Sequence, residues 1–437
     1  MTAHHAVVVV GGGQAGLSMS WHLGALGVEH VVLERDRVGH EWRDRRWDTF
    51  CLVTPNWQVD LPGFPYAGDD PDGFMSGAEV VEHLEKYASS FAPPLREGVT
   101  VTRLRRTLDG VFALETTAGS CTADQVVIAT GPYHEPAVPR LAERLPSAIT
   151  QLHSSHYRRP EQLPAGDVLV VGTGQSGAQI AEDLHLAGRR VHLAVGSAPR
   201  AARRYRGRDT LAWLDAMGHY TKGVDEFGDA DEVRLRANHY MTGRDGGRDI
   251  DLRAFATQGM RLHGRLRGID DGVIAFAGDL AANLDHADAV ADGIKDAIDR
   301  WIDANGLDAP HEERYVPVWR PARGETTLRT GDITAVVWAT GFHRDHRWIQ
   351  VPVFDGRGYP THERGVTSCP GLYFLGLPWQ WTWGSGRFAG IARDARHLAA
   401  TITAARRSRV TEDVSWLAGT ATETFPALDW VTGRAAA

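Results

Sequence analysis

Two glycine clusters have residue types and spacing that can do chemistry. Gly11-Gly12-Gly13-Gln14-Ala15-Gly16 and Gly172-Thr173-Gly174-Gln175-Ser176-Gly177 both follow the pattern G-x-G-x-x-G. In such a turn the first glycine permits the tight bend and the second leaves room for a pyrophosphate. The third lets the next helix pack on its strand, and the helix start offers free N–H groups to the phosphates. Glu34 closes the apolar run after the first cluster, where a carboxylate accepts from ribose hydroxyls. The run after the second cluster ends in Gly196 and Ser197, and then come Arg200, Arg203, Arg204, Arg206 and Arg208. No acid stands there for a ribose diol. A serine with arginines suits a 2′-phosphate, so NADP is favoured over NAD, with Ser197, Arg200 and Arg204 as the leading contacts. The competing reading is a solvated basic face, because the chain has only three lysines and is arginine-rich throughout. Two complete turns in one chain imply a hydride donor at one and an acceptor at the other. An acceptor at an N-terminal site is usually FAD.

These turns need strands before them and helices after them, and the sequence supplies both. Val7–Val10 reads as a strand, with a helix to about Leu26, a stop at Gly27 and a second strand over Val28–Leu33. Val168–Val171 repeats the unit, with a helix to about Ala187, a stop at Gly188 and a strand over Val191–Val195. Val80, Leu84, Tyr87 and Phe91 recur at helical spacing within 79–91. Strands are expected at Val99–Arg105, Val111–Thr117, Gln125–Ala129, Ile333–Ala339 and Leu372–Leu375, with a last helix over Phe388–Ala405. The fold class is therefore α/β, with two Rossmann-like dinucleotide-binding domains. The FAD domain is expected to be discontinuous, over 1–160 and 331–437. The NADPH domain is inserted at 161–330 and carries a mainly helical and irregular segment at about 203–305.

Bulk properties bound the function. A chain of 437 residues exceeds one ordinary core. A net charge of −8 argues against nucleic acid as the main partner. Cys51, Cys121 and Cys369 form no C-x-x-C pair, which argues against a redox dithiol or a zinc ribbon and fits a reducing, cytoplasmic setting. No signal peptide and no membrane span are expected. The oligomeric state stays open, with a homodimer as one option.

Beyond the glycine turns, Arg43-Asp44-Arg45-Arg46-Trp47, Thr54-Pro55-Asn56-Trp57 and Leu61-Pro62-Gly63-Phe64-Pro65 resemble the flavin-covering segment of the class B flavin monooxygenases. These are the flavin-containing monooxygenase, N-hydroxylase and Baeyer–Villiger group. Ala129-Thr130-Gly131 and Ala339-Thr340-Gly341-Phe342 resemble its two A-T-G hinges, and Pro370 to Leu377 its last FAD-contacting strand. The family fingerprint F-x-G-x-x-x-H-x-x-x-Y is half kept. His153 and Tyr157 match, but Ser147 and Ile149 replace the Phe and Gly. Tyr157 in place of Trp tilts toward N- or S-oxygenation. Gln151 to Ser155, Arg204 to Asp209 and Trp379 to Gly386 resemble a bacterial subgroup of flavin-dependent oxidoreductases.

The resemblance implies FAD and NADPH as cofactors, and O2 and a small molecule as substrates. It implies hydride transfer to the flavin and a C4a-hydroperoxide that oxygenates nitrogen, sulfur or a carbonyl. It places cofactor contacts at Gly11, Gly13, Gln14, Ala15, Gly16, Glu34, Arg35, Trp42, Arg43, Thr54, Thr130, Gly131, Thr340, Gly341 and Gly376. Gly172, Gly174, Gln175, Ser176 and Gly177 would hold NADPH. Asn56 resembles the family asparagine near the peroxide, with a plain turn role as the alternative. His153 is a candidate catalytic residue at the domain linker, with packing as the alternative. Trp379, Trp381 and Trp383 alternate, so an extended segment would put all three on one side, walling a pocket or packing a core. No metal site is expected. The rivals are a disulfide reductase, disfavoured by the cysteines, an NADPH oxidase or dehydrogenase, and a flavin-binding redox sensor.

Overall fold

The computed structural model describes residues 3–322 and 326–420, with backbone only for 408–420. The end of the expected C-terminal FAD stretch, 421–437, lies outside the described residues. The first unit runs β1 (Ala3–Val10), α1 (Gln14–Ala25), β2 (His30–Leu33), α2 (Gly77–Phe91), β3 (Leu95–Arg96), β4 (Val101–Arg106), β5 (Phe112–Thr116) and β6 (Gly119–Ile128). Its parallel centre is β3-β2-β1-β6, and β6 also takes a late strand at Leu372–Phe374 in parallel. Strand β2 starts two residues later than expected. Val28 N–H donates to Leu23 O at 2.9 Å, so Val28 closes the helix end instead of opening the strand.

The valine runs are buried on both faces, as a parallel sheet requires. Val7 and Val9 pack with Leu17 and Leu23 of α1 and with the C-terminal helix Phe388–Thr420. Val8 and Val10 pack on the other side with Leu104, Phe112 and Leu114.

The second unit comprises β7 (Thr150–His153), β8 (Val168–Val171), α3 (Gln175–Leu186), β9 (Val191–Ala194), β10 (Arg261–His263) and β11 (Ala335–Trp338). The sheet order is β7-β11-β8-β9-β10, all parallel. This pairing moves the expected boundaries, because β7 and β11 belong to the second sheet. The chain crosses between sheets at the Ala129-Thr130-Gly131 and Ala339-Thr340-Gly341 turns, and not at 160 and 330. The 203–305 stretch is also less helical than expected. It supplies β10 and the hairpin Leu266–Asp270 with Val273–Phe276, besides the long helix Leu280–Ala304. Leu266, Ile269, Ile274 and Phe276, with a bulge after Leu266, cover one face of the second sheet against Leu169 and Val171. Among the described residues no helix is long and apolar enough to cross a membrane.

Candidate active site

The two glycine turns have the same geometry. Gly11 and Gly172 have φ of +108° and +104°, which side-chain-bearing residues avoid. A Cβ on either would strike the carbonyl of an A-T-G turn, Ala129 O at 2.5 Å or Ala339 O at 2.6 Å. A Cβ on Gly16 would lie 1.8 Å from Gly11 O, and one on Gly177 2.0 Å from Gly172 O. These four glycines are needed for the fold itself. Gly13 and Gly174 differ, since nothing lies within 4 Å of a Cβ on either. The backbone leaves empty space at the position where a phosphate would approach.

The helix starts behave accordingly. Helices α1 and α3 have no side-chain cap and no acid in their first turn. Helix α2, by contrast, carries a full capping box from Ser76 and Glu79, and Asp209, Asp229 and Asp251 cap three other helices. The donors of α1 and α3 are left for an anion.

Glu34 lies beside the first turn, accepting from Gly12 N–H at 2.5 Å and from Asp36 N–H at 2.8 Å. Arg35 pairs with Asp36 at 2.8 Å and Glu41 at 3.4 Å. The end of the Leu372–Phe374 strand closes over α1. A Cβ on Gly376 would meet Ala15 Cβ at 2.9 Å, and Gln14 Nε2 donates to Gly386 O at 3.3 Å. Trp42 stacks on Phe388 at 5.9 Å and meets Phe50 at 5.8 Å. Arg43 turns away to Glu85, at 2.5 Å. The guanidinium that lies over Trp42 is that of Arg46, at 5.2 Å, a position the sequence did not mark as a contact. Burial pushes Arg46 below the usual arginine range. Thr54 is half-buried. The Thr130 hydroxyl and both amide atoms of Gln58 are buried without a hydrogen-bond partner. Buried groups left open in this way fit an additional bound molecule.

At the second turn, Thr173 Oγ1 accepts from Gly196 N–H at 3.0 Å and shapes the strand exit, while Gln175 and Ser176 are half-exposed. Ser197 is exposed there, and Arg204 is exposed with Nη2 donating to Gly246 O at 3.3 Å. Arg200 is not free for a phosphate. It is buried, its Nε lies 2.6 Å from Asp288 Oδ1, and its guanidinium lies over Tyr315 at 4.2 Å. Of the predicted pair, Arg204 alone remains at the surface.

The A-T-G turns pair with each other. Phe342 and His343 run antiparallel to Pro136 and Glu135, and the Thr340 hydroxyl donates to Ala137 O at 2.5 Å. Gly131 and Gly341 have φ of +70° and +86°. His153 serves this junction. Its Nε2–H donates to Gly341 O at 2.9 Å, and Nδ1 is 2.9 Å from Ser155 Oγ. Both nitrogens are spent, and burial lowers its pKa, so the neutral ring pins the crossover. Asn56 is held in its turn as well. Its Nδ2 donates to Asp70 O at 2.9 Å and its Oδ1 accepts from Met75 N–H at 2.8 Å.

The three tryptophans do not share a side. Their segment is a run of turns, with Trp379 at φ +52°. Trp379 packs on Phe227 at 5.2 Å, Trp381 on His397 at 5.4 Å and Trp383 on Tyr220 at 4.3 Å. Alternation places residues on one side only where the backbone is extended. The three cysteines are free.

Comparison with known proteins places this geometry. A family described as pyridine nucleotide-disulphide oxidoreductase matches residues 8–217. A CzcO-like oxidoreductase of Geobacillus kaustophilus is 32% identical over 400 residues, covering 90% of this chain and 96% of the relative. Indole-3-pyruvate monooxygenase YUCCA1 of Oryza sativa is 28% identical over 341 residues, covering 74% of this chain and 80% of the relative. A flavin-containing monooxygenase from Stenotrophomonas maltophilia has the same fold, with a TM-score of 0.64 at 20% identity over 92% of this chain and 99% of that one. With two nucleotide-type turns in one chain and a near full-length match at 32% identity to the Geobacillus relative, the protein belongs to the CzcO-like family of oxidoreductases.

Proposed function

We propose that this protein is an FAD- and NADPH-dependent monooxygenase acting on a small nitrogen- or sulfur-containing, or carbonyl, substrate. One observation carries the reading. Two uncapped helix starts, each behind an open glycine at Gly13 or Gly174, stand at the ends of parallel strands in two sheets joined by paired linkers. FAD fits the first turn, where Glu34 is positioned for a ribose and Gly376 closes over the helix start. NADPH fits the second turn, where Ser197 and Arg204 are exposed beyond the strand. When bound, the flavin accepts hydride from NADPH and then activates O2 for transfer of one oxygen atom.

The chain's own residues bind, orient and exclude water. Trp42, Phe50 and Phe388 give an aromatic wall beside the first turn. His153 and Thr340 hold the linkers that set one nucleotide site against the other. A second reading is an NADPH oxidase that releases reduced oxygen. It is favoured by Asn56, whose buried amide is held in its turn by Asp70 O and Met75 N–H, with one N–H of the side chain uncommitted.

The test starts with purified protein, read for FAD content and for bleaching by NADPH without oxygen. Candidate amines, sulfides and ketones are then added, with oxygen uptake and product mass followed. A product gaining one oxygen per NADPH supports the monooxygenase. NADPH consumption with peroxide and no product supports the oxidase, and a chain that never gives an NADPH-bleachable flavin defeats both.

A further inference from the structure

Arg387 differs from the other arginines that face the inserted segment. Those mostly meet carboxylates: Arg203 meets Asp209 at 2.7 Å, Arg206 meets Asp299 at 3.0 Å, and Arg253 meets Asp288 at 2.9 Å. Arg387 has no carboxylate partner among the described residues. It makes two side-chain hydrogen bonds, both to neutral oxygens. Nη1 donates to Trp383 O, and Nη2 donates to Asn238 Oδ1 at 2.8 Å. A guanidinium has five N–H donors, so most of its capacity is unspent. Burial pushes its pKa below the usual range, and no carboxylate among the described residues offsets this. The residue keeps some exposed surface, and Asn238 beside it is exposed, so the guanidinium stays open to an incoming group.

Its neighbours along the chain place Arg387 beside the first glycine turn. The preceding residue, Gly386, accepts from Gln14 at the first glycine turn, and the next, Phe388, stacks on Trp42. Arg387 therefore starts beside the first nucleotide site. Its guanidinium reaches Asn238 and Trp383, whose ring is 4.2 Å from its centre, and Tyr133 beyond the first linker acts on its charge. Trp383 in turn packs on Tyr220 at 4.3 Å with the rings 32° apart. Tyr220 and Asn238 belong to the segment between β9 and β10, outside both turn units.

We propose that Arg387 anchors the carboxylate of the substrate, so that the substrate is a small organic acid. The site rests on the flavoprotein reading above for its chemistry, but carboxylate binding is measurable without turnover. Guanidinium and carboxylate pair bidentately, and the flat guanidinium is oriented by its stacking on Trp383. An uncharged substrate would leave this cation unpaired, at a cost in affinity.

The experiment compares benzoate with benzamide on the holoprotein, by calorimetry and by perturbation of the flavin absorbance. The neutral amide has the same shape without the charge. Benzoate is expected to bind at least about tenfold tighter, equivalent to about 1.4 kcal/mol. Arg387→Met is expected to abolish that preference while FAD content and NADPH affinity stay unchanged, and Arg387→Lys to restore part of it. Equal binding of the two probes to the native protein overturns the proposal, with no variant required. So does benzoate binding that survives Arg387→Met, or loss of FAD in that variant, which would assign the guanidinium to the cofactor. Failure of NADPH to bleach the flavin would defeat the function proposed above and leave this comparison readable.

Discussion

The Tyr157 hydroxyl donates to Asp183 Oδ2 at 2.7 Å, joining the segment that enters the second unit to its nucleotide helix. The other oxygen of the same carboxylate accepts from Thr49 Oγ1 at 2.7 Å and from Arg244 Nη1 at 2.8 Å. Thr49 lies in the first unit, shortly before the turn held by Asn56, so one buried carboxylate ties both nucleotide units. Removing it as Asp183→Ala strands three donors and is expected to cost about 3 kcal/mol. Tyr157→Phe leaves the carboxylate two partners and should cost about 1 kcal/mol. Urea unfolding monitored by fluorescence measures both. Equal costs would show that the carboxylate is not shared in this way.

The glycines divide into two classes by experiment. Gly16→Ala and Gly177→Ala force a Cβ onto a carbonyl and should destabilise by about 3 kcal/mol or more. Gly13→Ala and Gly174→Ala meet no atoms and should leave the fold within about 1 kcal/mol of native. The first is expected to lose flavin and the second to lose NADPH affinity, each by at least about tenfold. Retained FAD in Gly13→Ala would contradict the assignment of the first turn.

Arg204→Ala should narrow any preference for NADPH over NADH, with melting unchanged, because the side chain is exposed. Arg200→Ala should do the reverse. It removes a buried partner of Asp288, which keeps only Arg253, and is expected to lower stability by about 2 kcal/mol. Steady-state kinetics with both nucleotides, paired with thermal melts, separates the two residues. Specificity lost in Arg200→Ala without loss of stability would reverse the roles.

Asn56→Ala removes two hydrogen bonds that hold its turn and should cost about 2 kcal/mol. The ratio of product to NADPH consumed is expected to stay at the native value. A rise in unproductive NADPH oxidation would place the amide at the reacting oxygen instead.

Stability should fall as pH drops below neutrality. Burial pushes His219, His263, His346 and His362 down to about 4. Between about 6.5 and 4 the unfolded chain binds protons that the folded one refuses, so unfolding becomes easier as pH falls through that window. Each group adds up to about 1.4 kcal/mol per pH unit. Glu182 opposes this, since burial raises its carboxyl to about 7 and the folded state gains the proton first. Four groups outweigh one. Denaturant midpoints at pH 7 and pH 5 should show the loss, and a higher midpoint at pH 5 would be incompatible with these histidines being buried neutral.

The glycine turns, their strands and Glu34 were legible from the chain alone because each is local. A turn needing positive φ, a strand of valines and a helix with no cap all lie within a few consecutive residues. The roles of Arg43, Arg46, Arg200 and Arg387 were not legible. A guanidinium's function depends on whether a carboxylate reaches it, and Glu85, Asp288 and the missing partner of Arg387 are set by segments far away in sequence. The same holds for the three tryptophans, whose alternation predicts a shared side only if the backbone is extended. Local backbone chemistry was fixed by neighbours along the chain. Which charges are neutralised, and which stay open to a ligand, was decided only when distant segments packed together.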